Sequence, residues 1–150
     1  MTRMTADEFR KSQGRLFKPA ARRKPQNIEH EIQSQCFYWF LLRFPKLSDL
    51  FFAIPNGGQR SITTAVTLQR EGVKKGVPDT LFAYPSKGYH GLFIEFKKSS
   101  IGKRGGLIDK GHLSDEQEYM IGQLKHAGYK VEVCYSFEQF KQIMEDYILQ

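Results

Sequence analysis

From Ile28 onward the chain carries apolar residues at helical spacing. Ile28, Ile32, Cys36 and Phe40, joined by Trp39, mark one face, and Pro45 stops the run. This predicts a helix from Ile28 to about Phe44. Leu50 to Pro55 (LFFAIP) is a short apolar run that reads as a buried strand, broken by the Asn56-Gly57-Gly58 turn. Ile62 to Glu71 suits a helix closed by Gly72, and Gly76-Val77-Pro78 is a further turn. Thr80 to Tyr84 (TLFAY) and Gly91 to Phe96 (GLFIEF) read as two strands, close enough in sequence to form a hairpin.

The stretch from residue 98 to 113 is rich in Gly, Lys and Ser. It exceeds the usual connection of about 4–6 residues, which points to a working or disordered loop. Ser114-Asp115-Glu116-Gln117 is a capping box that opens a helix ending near Gly128. Lys130 to Tyr135 (KVEVCY) is a fourth strand, and Ser136 caps a last helix from Phe137 to about Ile148. There is no internal repeat. The order is αβββαβα with one helical excursion among the first strands, an α/β arrangement with a mixed central sheet flanked by helices.

Composition bounds the picture without sharpening it. With 150 residues, 40% hydrophobic and 26% charged, the chain suits one domain with a real core. No apolar run is long enough for a membrane span, and the polar, basic N-terminus lacks the apolar core of a secretory signal. Cys36 and Cys134 sit in apolar segments outside any CxxC pair, so they read as reduced core residues of a cytoplasmic protein. The four histidines have no ligand spacing, which argues against zinc. The net charge of +7 is concentrated: residues 1–27 hold eight Lys/Arg and only Asp7 and Glu8 as acids. That segment reads as a flexible basic arm preceding a nearly neutral domain at 28–150. Such an arm attracts polyanions, although solvated tails of this kind are equally common.

Candidate chemistry lies in the middle strands. Asp79 follows the Gly-Val-Pro turn at the mouth of one strand, and Glu95 and Lys97 lie in and just beyond the next. Strand residues i and i+2 share a face, so Glu95 and Lys97 project together while Phe96 turns into the core. Hairpin pairing brings Asp79 beside Glu95. Two adjacent carboxylates repel unless a cation joins them, and hard oxygen ligands select Mg²⁺ or Mn²⁺. Such an ion polarises a scissile phosphate and acidifies a bound water, with Lys97 placed to orient that water or to offset developing charge.

The same residues carry a family resemblance. Gly76-Val77-Pro78-Asp79 followed by Ile94-Glu95-Phe96-Lys97 resembles the PD-(D/E)XK nuclease superfamily. The series Glu29-His30-Glu31-Ile32-Gln33, Pro55-Asn56-Gly57-Gly58, Gly72 to Asp79, Gly91 to Lys97 and Leu113 to Gln117 is similar to the virus-type replication-repair nuclease (VRR-NUC) domain, in order over residues 28–148. The resemblance implies a restriction-endonuclease-like fold and Mg²⁺- or Mn²⁺-dependent phosphodiester hydrolysis. It implies Asp79, Glu95 and the Phe96 carbonyl as metal ligands, and Lys97 as catalytic. It also implies a first-helix glutamate, Glu29 in preference to Glu31; His30 between them reads at most as a supporting group. Gln117 matches a glutamine that the superfamily places near its site, though the capping box explains it equally well. Asn56, Gly57, Gly58, Arg60, Arg70, Lys74, Lys75, Lys98, Lys103 and Arg104 become candidates for DNA contact. Stand-alone members resemble Holliday-junction resolvases acting as homodimers, so branched DNA is the expected partner. The alternatives are a flap- or end-processing nuclease, a restriction-type enzyme, or a non-catalytic DNA-binding module.

Overall fold

The computed structural model describes residues 28–55, 61–101 and 107–149. The arm at 1–27 and the turn at 56–58 lie outside these residues, as do Arg60, Lys103 and Arg104. The first helix, α1 (Ile28–Arg43), buries Cys36 and Phe40 of the predicted apolar stripe and packs Ile32 and Trp39 against the core, while Ile28 at its start is exposed. A 3-10 turn (Ser48–Leu50) leads into β1 (Phe51–Ala53). Next comes α2 (Ile62–Arg70), where the Ser61 hydroxyl accepts the Thr64 N–H and caps the first turn. The chain continues through β2 (Thr80–Phe82), β3 (Leu92–Phe96), β4 (Ser99–Ile101), β5 (Leu107–Lys110), α3 (Asp115–His126), β6 (Lys130–Cys134) and α4 (Phe137–Ile148).

The main sheet runs β1-β2-β3-β6. Its first three strands are antiparallel, and β6 lies parallel to β3. It is therefore a mixed sheet, and helices cover both faces. Cys36 and Phe40 of α1 pack with Phe140, Met144 and Tyr147 of α4 against Phe51, Phe82, Leu92, Ile94 and Phe96. Aromatic rings pack through this layer: the Phe40 centroid lies 4.9 Å from Phe51 and 5.2 Å from Phe82. On the opposite face Ile121 of α3 meets Phe93 and Val131. Both cysteines are buried and free. Among the described residues no helix is long and apolar enough to cross a membrane.

Two expectations need correction. The run Leu50 to Pro55 is not a buried strand. It yields a three-residue edge strand with Phe52 and Ala53 exposed, because β1 has a hydrogen-bonded neighbour on one side only. The loop expected at 98–113 also contains structure. There β4 and β5 pair antiparallel, with Ser99 opposite Lys110 and a register shift at Ser100/Ile101. A two-stranded ribbon is held by backbone pairing, and neither Ser99–Ile101 nor Leu107–Lys110 alternates apolar with polar residues, so its composition looks like a loop.

Strand β3 positions the chemistry. It is central, and all five of its residues are buried. Alternation sends Leu92, Ile94 and Phe96 into the aromatic layer. Phe93 and Glu95 therefore turn to the α3 face, where a buried carboxylate meets the first turn of that helix.

Candidate active site

The β2–β3 register pairs Thr80 with Ile94, which sets Asp79 opposite Glu95 one step along. The Thr80 hydroxyl donates to the Ile94 carbonyl at 3.2 Å and pins this end of the ladder. Asp79 Oδ2 accepts the Phe96 N–H at 2.8 Å. A strand residue's N–H and C=O leave on the same side, so the Phe96 carbonyl faces the edge that Asp79 occupies.

Glu95 is 3% exposed and its Oε1 has two partners. Lys97 Nζ stands 3.2 Å away, and Gln117 Nε2 from α3 donates a close hydrogen bond. The other end of the Gln117 amide, Oε1, accepts the Ser114 N–H at 3.0 Å. The two readings of Gln117 are thus one arrangement: the side chain that closes the capping box also fixes Glu95. Position N3 of a helix is where a side chain can reach back to the cap, and the amide has a donor left over.

The glutamates of α1 separate clearly. Glu29 Oε1 accepts the Lys98 N–H at 3.0 Å, one residue past Lys97. Glu31 is exposed and lies about 200° round the helix from Glu29. His30 is close enough for its charge to act on Asp79.

The electrostatics follow from the packing. Burial pushes the Asp79 carboxyl up, and Glu29 adds to this, while the Phe96 N–H and the Lys97 ammonium oppose it. Glu95 rises from an ordinary 4.5 to about 7, through burial first and the Asp79 charge second, with Lys97 pulling back. Among the described residues, no three His, Cys, Asp or Glu side chains form a ready-made metal cluster. The donors that do fit a hard divalent cation are the Asp79 and Glu95 carboxylates, together with the Phe96 carbonyl. A set this small suits an ion that keeps several waters.

Two glycines shape the site, Gly76 of the predicted turn and Gly111, which the sequence did not single out. Gly76 (φ +78) lies so close to α3 that a Cβ there would meet the Glu116 carbonyl oxygen at 2.2 Å. Gly111 lies under the Lys97 stem, where a Cβ would meet Lys97 Cβ and Cδ at 3.5 Å. Its N–H donates to the Lys98 carbonyl and ties the β5 end of the ribbon to the strand carrying Glu95. A glycine after a helix-forming run signals a turn, but no feature of the sequence reports which backbone it will touch. Arg70, Lys74, Lys75 and Lys98 are all exposed.

The family model for the VRR-NUC domain matches residues 20–138 of the chain, beginning inside the basic N-terminal segment. A solved structure titled as a VRR_NUC domain protein is similar over 81% of this chain and 88% of its own, with a TM-score of 0.65 and 26% sequence identity. No curated protein matches the chain.

Proposed function

The chain belongs to the VRR-NUC domain family, a nuclease-type domain that acts on DNA, and from that premise we propose that it is a divalent-metal-dependent endonuclease selective for branched DNA. The observation that carries this reading is the buried Glu95 carboxylate. It is set opposite Asp79 and held by Lys97 on its own strand and by Gln117 from the facing helix. An ion pair serving stability alone would not need a second carboxylate pressed against the first. The order of the mixed sheet and its helices supports a restriction-endonuclease-like fold.

In this reading Asp79, Glu95 and the Phe96 carbonyl hold Mg²⁺ or Mn²⁺, with Glu29 alongside. The ion, when bound, supplies Lewis acidity toward the scissile phosphate and lowers the pKa of water. The protein's own groups do the rest. The Phe96 N–H fixes Asp79, and Gln117 fixes the Glu95 rotamer. Lys97, only 15% exposed, brings a poorly hydrated ammonium to the place where charge builds on phosphate. Arg70, Lys74, Lys75 and Lys98 contact the DNA backbone, with Asn56, Gly57, Gly58, Arg60, Lys103 and Arg104 assisting. A homodimer would present two such sites to equivalent strands of a four-way junction.

The test is a cleavage panel with four-way, flap and linear DNAs in Mg²⁺ or Mn²⁺. The four-way junction should be cut fastest, by a protein that sediments as a dimer. Absence of any cutting overturns the enzyme reading. Preference for flaps or linear ends replaces the junction reading with an end-processing or restriction-type activity.

Gln117 gives a second expectation. Gln117→Ala loses one cap bond, worth about 1 kcal/mol of stability, and lowers single-turnover cleavage by about 10–100-fold because Glu95 is no longer held. Gln117→Glu keeps an acceptor for the Ser114 N–H but sets a third carboxylate on Glu95, so it should cut more slowly still. If Gln117→Ala cuts at the parent rate, Gln117 is a helix cap only.

A further inference from the structure

Behind the turn that delivers Asp79 lies a shallow, open groove of about 650 Å³ that the cleavage chemistry does not use. One wall is Gln69 at the end of α2 with Val73, Lys74 and Lys75, and the other is Tyr119 and Met120 of α3. Tyr119 is 67% exposed, although its neighbours along the helix, Met120 and Ile121, are partly or fully covered. An aromatic ring held out on a rigid helix, over a partly apolar wall and opposite two lysines, is the composition of a base-stacking platform.

The groove borders the contact between the Gly76 turn and α3, which also carries the active site. Gly76 joins the lysine-bearing loop to Asp79, and its backbone packs directly on Glu116 and Gln117. Gln117 reaches Glu95 from one side of the helix turn, while Tyr119, two residues on, faces the groove from another. The groove is thus joined to Asp79 through the Gly76 turn and to Glu95 through Gln117. Asp115 and Glu116 also line it. Their carboxylates would repel a phosphate beside them, whereas a neutral nucleobase offers exocyclic amino and ring N–H donors from which the carboxylates and the Gln69 amide oxygen can accept. Lys74 and Lys75 stand at the rim for the phosphate, Lys75 also close enough for its charge to act on Glu116.

From this we infer that the groove between the Val73–Lys75 loop and α3 takes an unpaired nucleotide beside the cleavage site, its base stacked on Tyr119 and its phosphate held by Lys74 and Lys75. The inference rests on the nuclease reading above, and it deepens that reading by giving a source of branch selectivity: paired bases cannot leave the stack to enter the groove without breaking their pairs.

The experiment uses the full chain, with Ca²⁺ replacing Mg²⁺ so that DNA stays intact. Forked DNA carrying 5-iodouracil at unpaired positions next to the branch is irradiated, and the cross-linked peptide is identified by mass spectrometry. Tyr119 should be the attachment point. Tyr119→Ala should bind the fork at least about tenfold more weakly and leave blunt duplex binding unchanged, while Tyr119→Phe binds as the parent does. The exposed position makes both variants fold, which their thermal unfolding verifies. Cross-links only outside the groove, or equal fork affinity for Tyr119→Ala and the parent, overturn the inference. Either result would follow if the groove took a peptide instead. A parent that cuts no DNA in Mg²⁺ or Mn²⁺ but cross-links at Tyr119 overturns the nuclease reading and leaves the nucleotide subsite standing.

Discussion

A Glu95→Gln protein should unfold at a higher temperature than the parent in metal-free buffer at pH 8, and it should cut no DNA. Glu95 is buried beside Asp79, and folding raises its pKa from 4.5 to about 7. A carboxyl whose folded-state value is raised binds its proton more tightly when folded. Its contribution to stability is therefore full below pH 4.5, declines as the pH rises through about 7, and is gone above that. At pH 8 the parent carries an ionised carboxylate that burial and Asp79 disfavour by roughly 3 kcal/mol. Glutamine has the same shape, keeps an oxygen for the Gln117 and Lys97 donors and bears no charge. The gain in midpoint is then a few degrees at pH 8 and vanishes near pH 5. Mg²⁺ or Mn²⁺ should raise the parent's midpoint and close most of the gap, because a cation relieves the same repulsion. Cleavage should fall by at least about a thousandfold, since an amide is a far poorer ligand than a carboxylate. Thermal unfolding across pH, with and without metal, checks the first half and single-turnover cleavage the second. A variant less stable than the parent at pH 8 would mean that the carboxylate is a structural asset, and a variant that still cuts would remove Glu95 from the site.

That opposition between stability and activity was partly legible in the sequence. A lone Glu in LFIEF is costly in any strand buried on both faces, so its presence announces a compensating partner. Period-two alternation also fixed the joint direction of Glu95 and Lys97, and hairpin pairing fixed Asp79 opposite Glu95, because both depend only on local geometry. Gln117 was visible as a cap and as a family position, but nothing local shows that its two amide ends serve both. Whether Glu29 or Glu31 faces the cluster needed the angle at which α1 meets the ribbon, a tertiary quantity. The helices were the most legible elements, since caps and apolar stripes are written in adjacent residues. The β4–β5 ribbon and the exposed edge of β1 were not, because strand identity there comes from pairing partners rather than from an apolar alternation along the chain.

Gly76→Ala should be the most disruptive single-methyl change in the described part of the chain. Two separate obstacles meet at this position. Its φ of +78 is in the left-handed region, where a Cβ costs about 1–2 kcal/mol. The added carbon would also sit 2.2 Å from the Glu116 carbonyl oxygen and 2.9 Å from the Gln117 nitrogen, against backbone that cannot swing aside as a side-chain tip can. Overpacking of this kind adds about 1–3 kcal/mol. Gly72 supplies the control. Its φ is +96, yet a Cβ there meets nothing within 4 Å. Gly72→Ala should therefore show the left-handed cost alone, with cleavage kept. The difference between the two variants in urea unfolding isolates the close approach of the Gly76 turn to α3. The consequence for activity is specific as well. If the turn retreats, Asp79 leaves the edge of β3, and if the helix retreats, Gln117 leaves Glu95. Either movement separates groups that must act within a few tenths of an ångström, so Gly76→Ala should lose more than about a hundredfold in cleavage while Gly72→Ala loses little. Equal losses in the two variants would mean that the contact between this turn and the helix does not hold the site together, and the carboxylates would have to be positioned by the sheet alone.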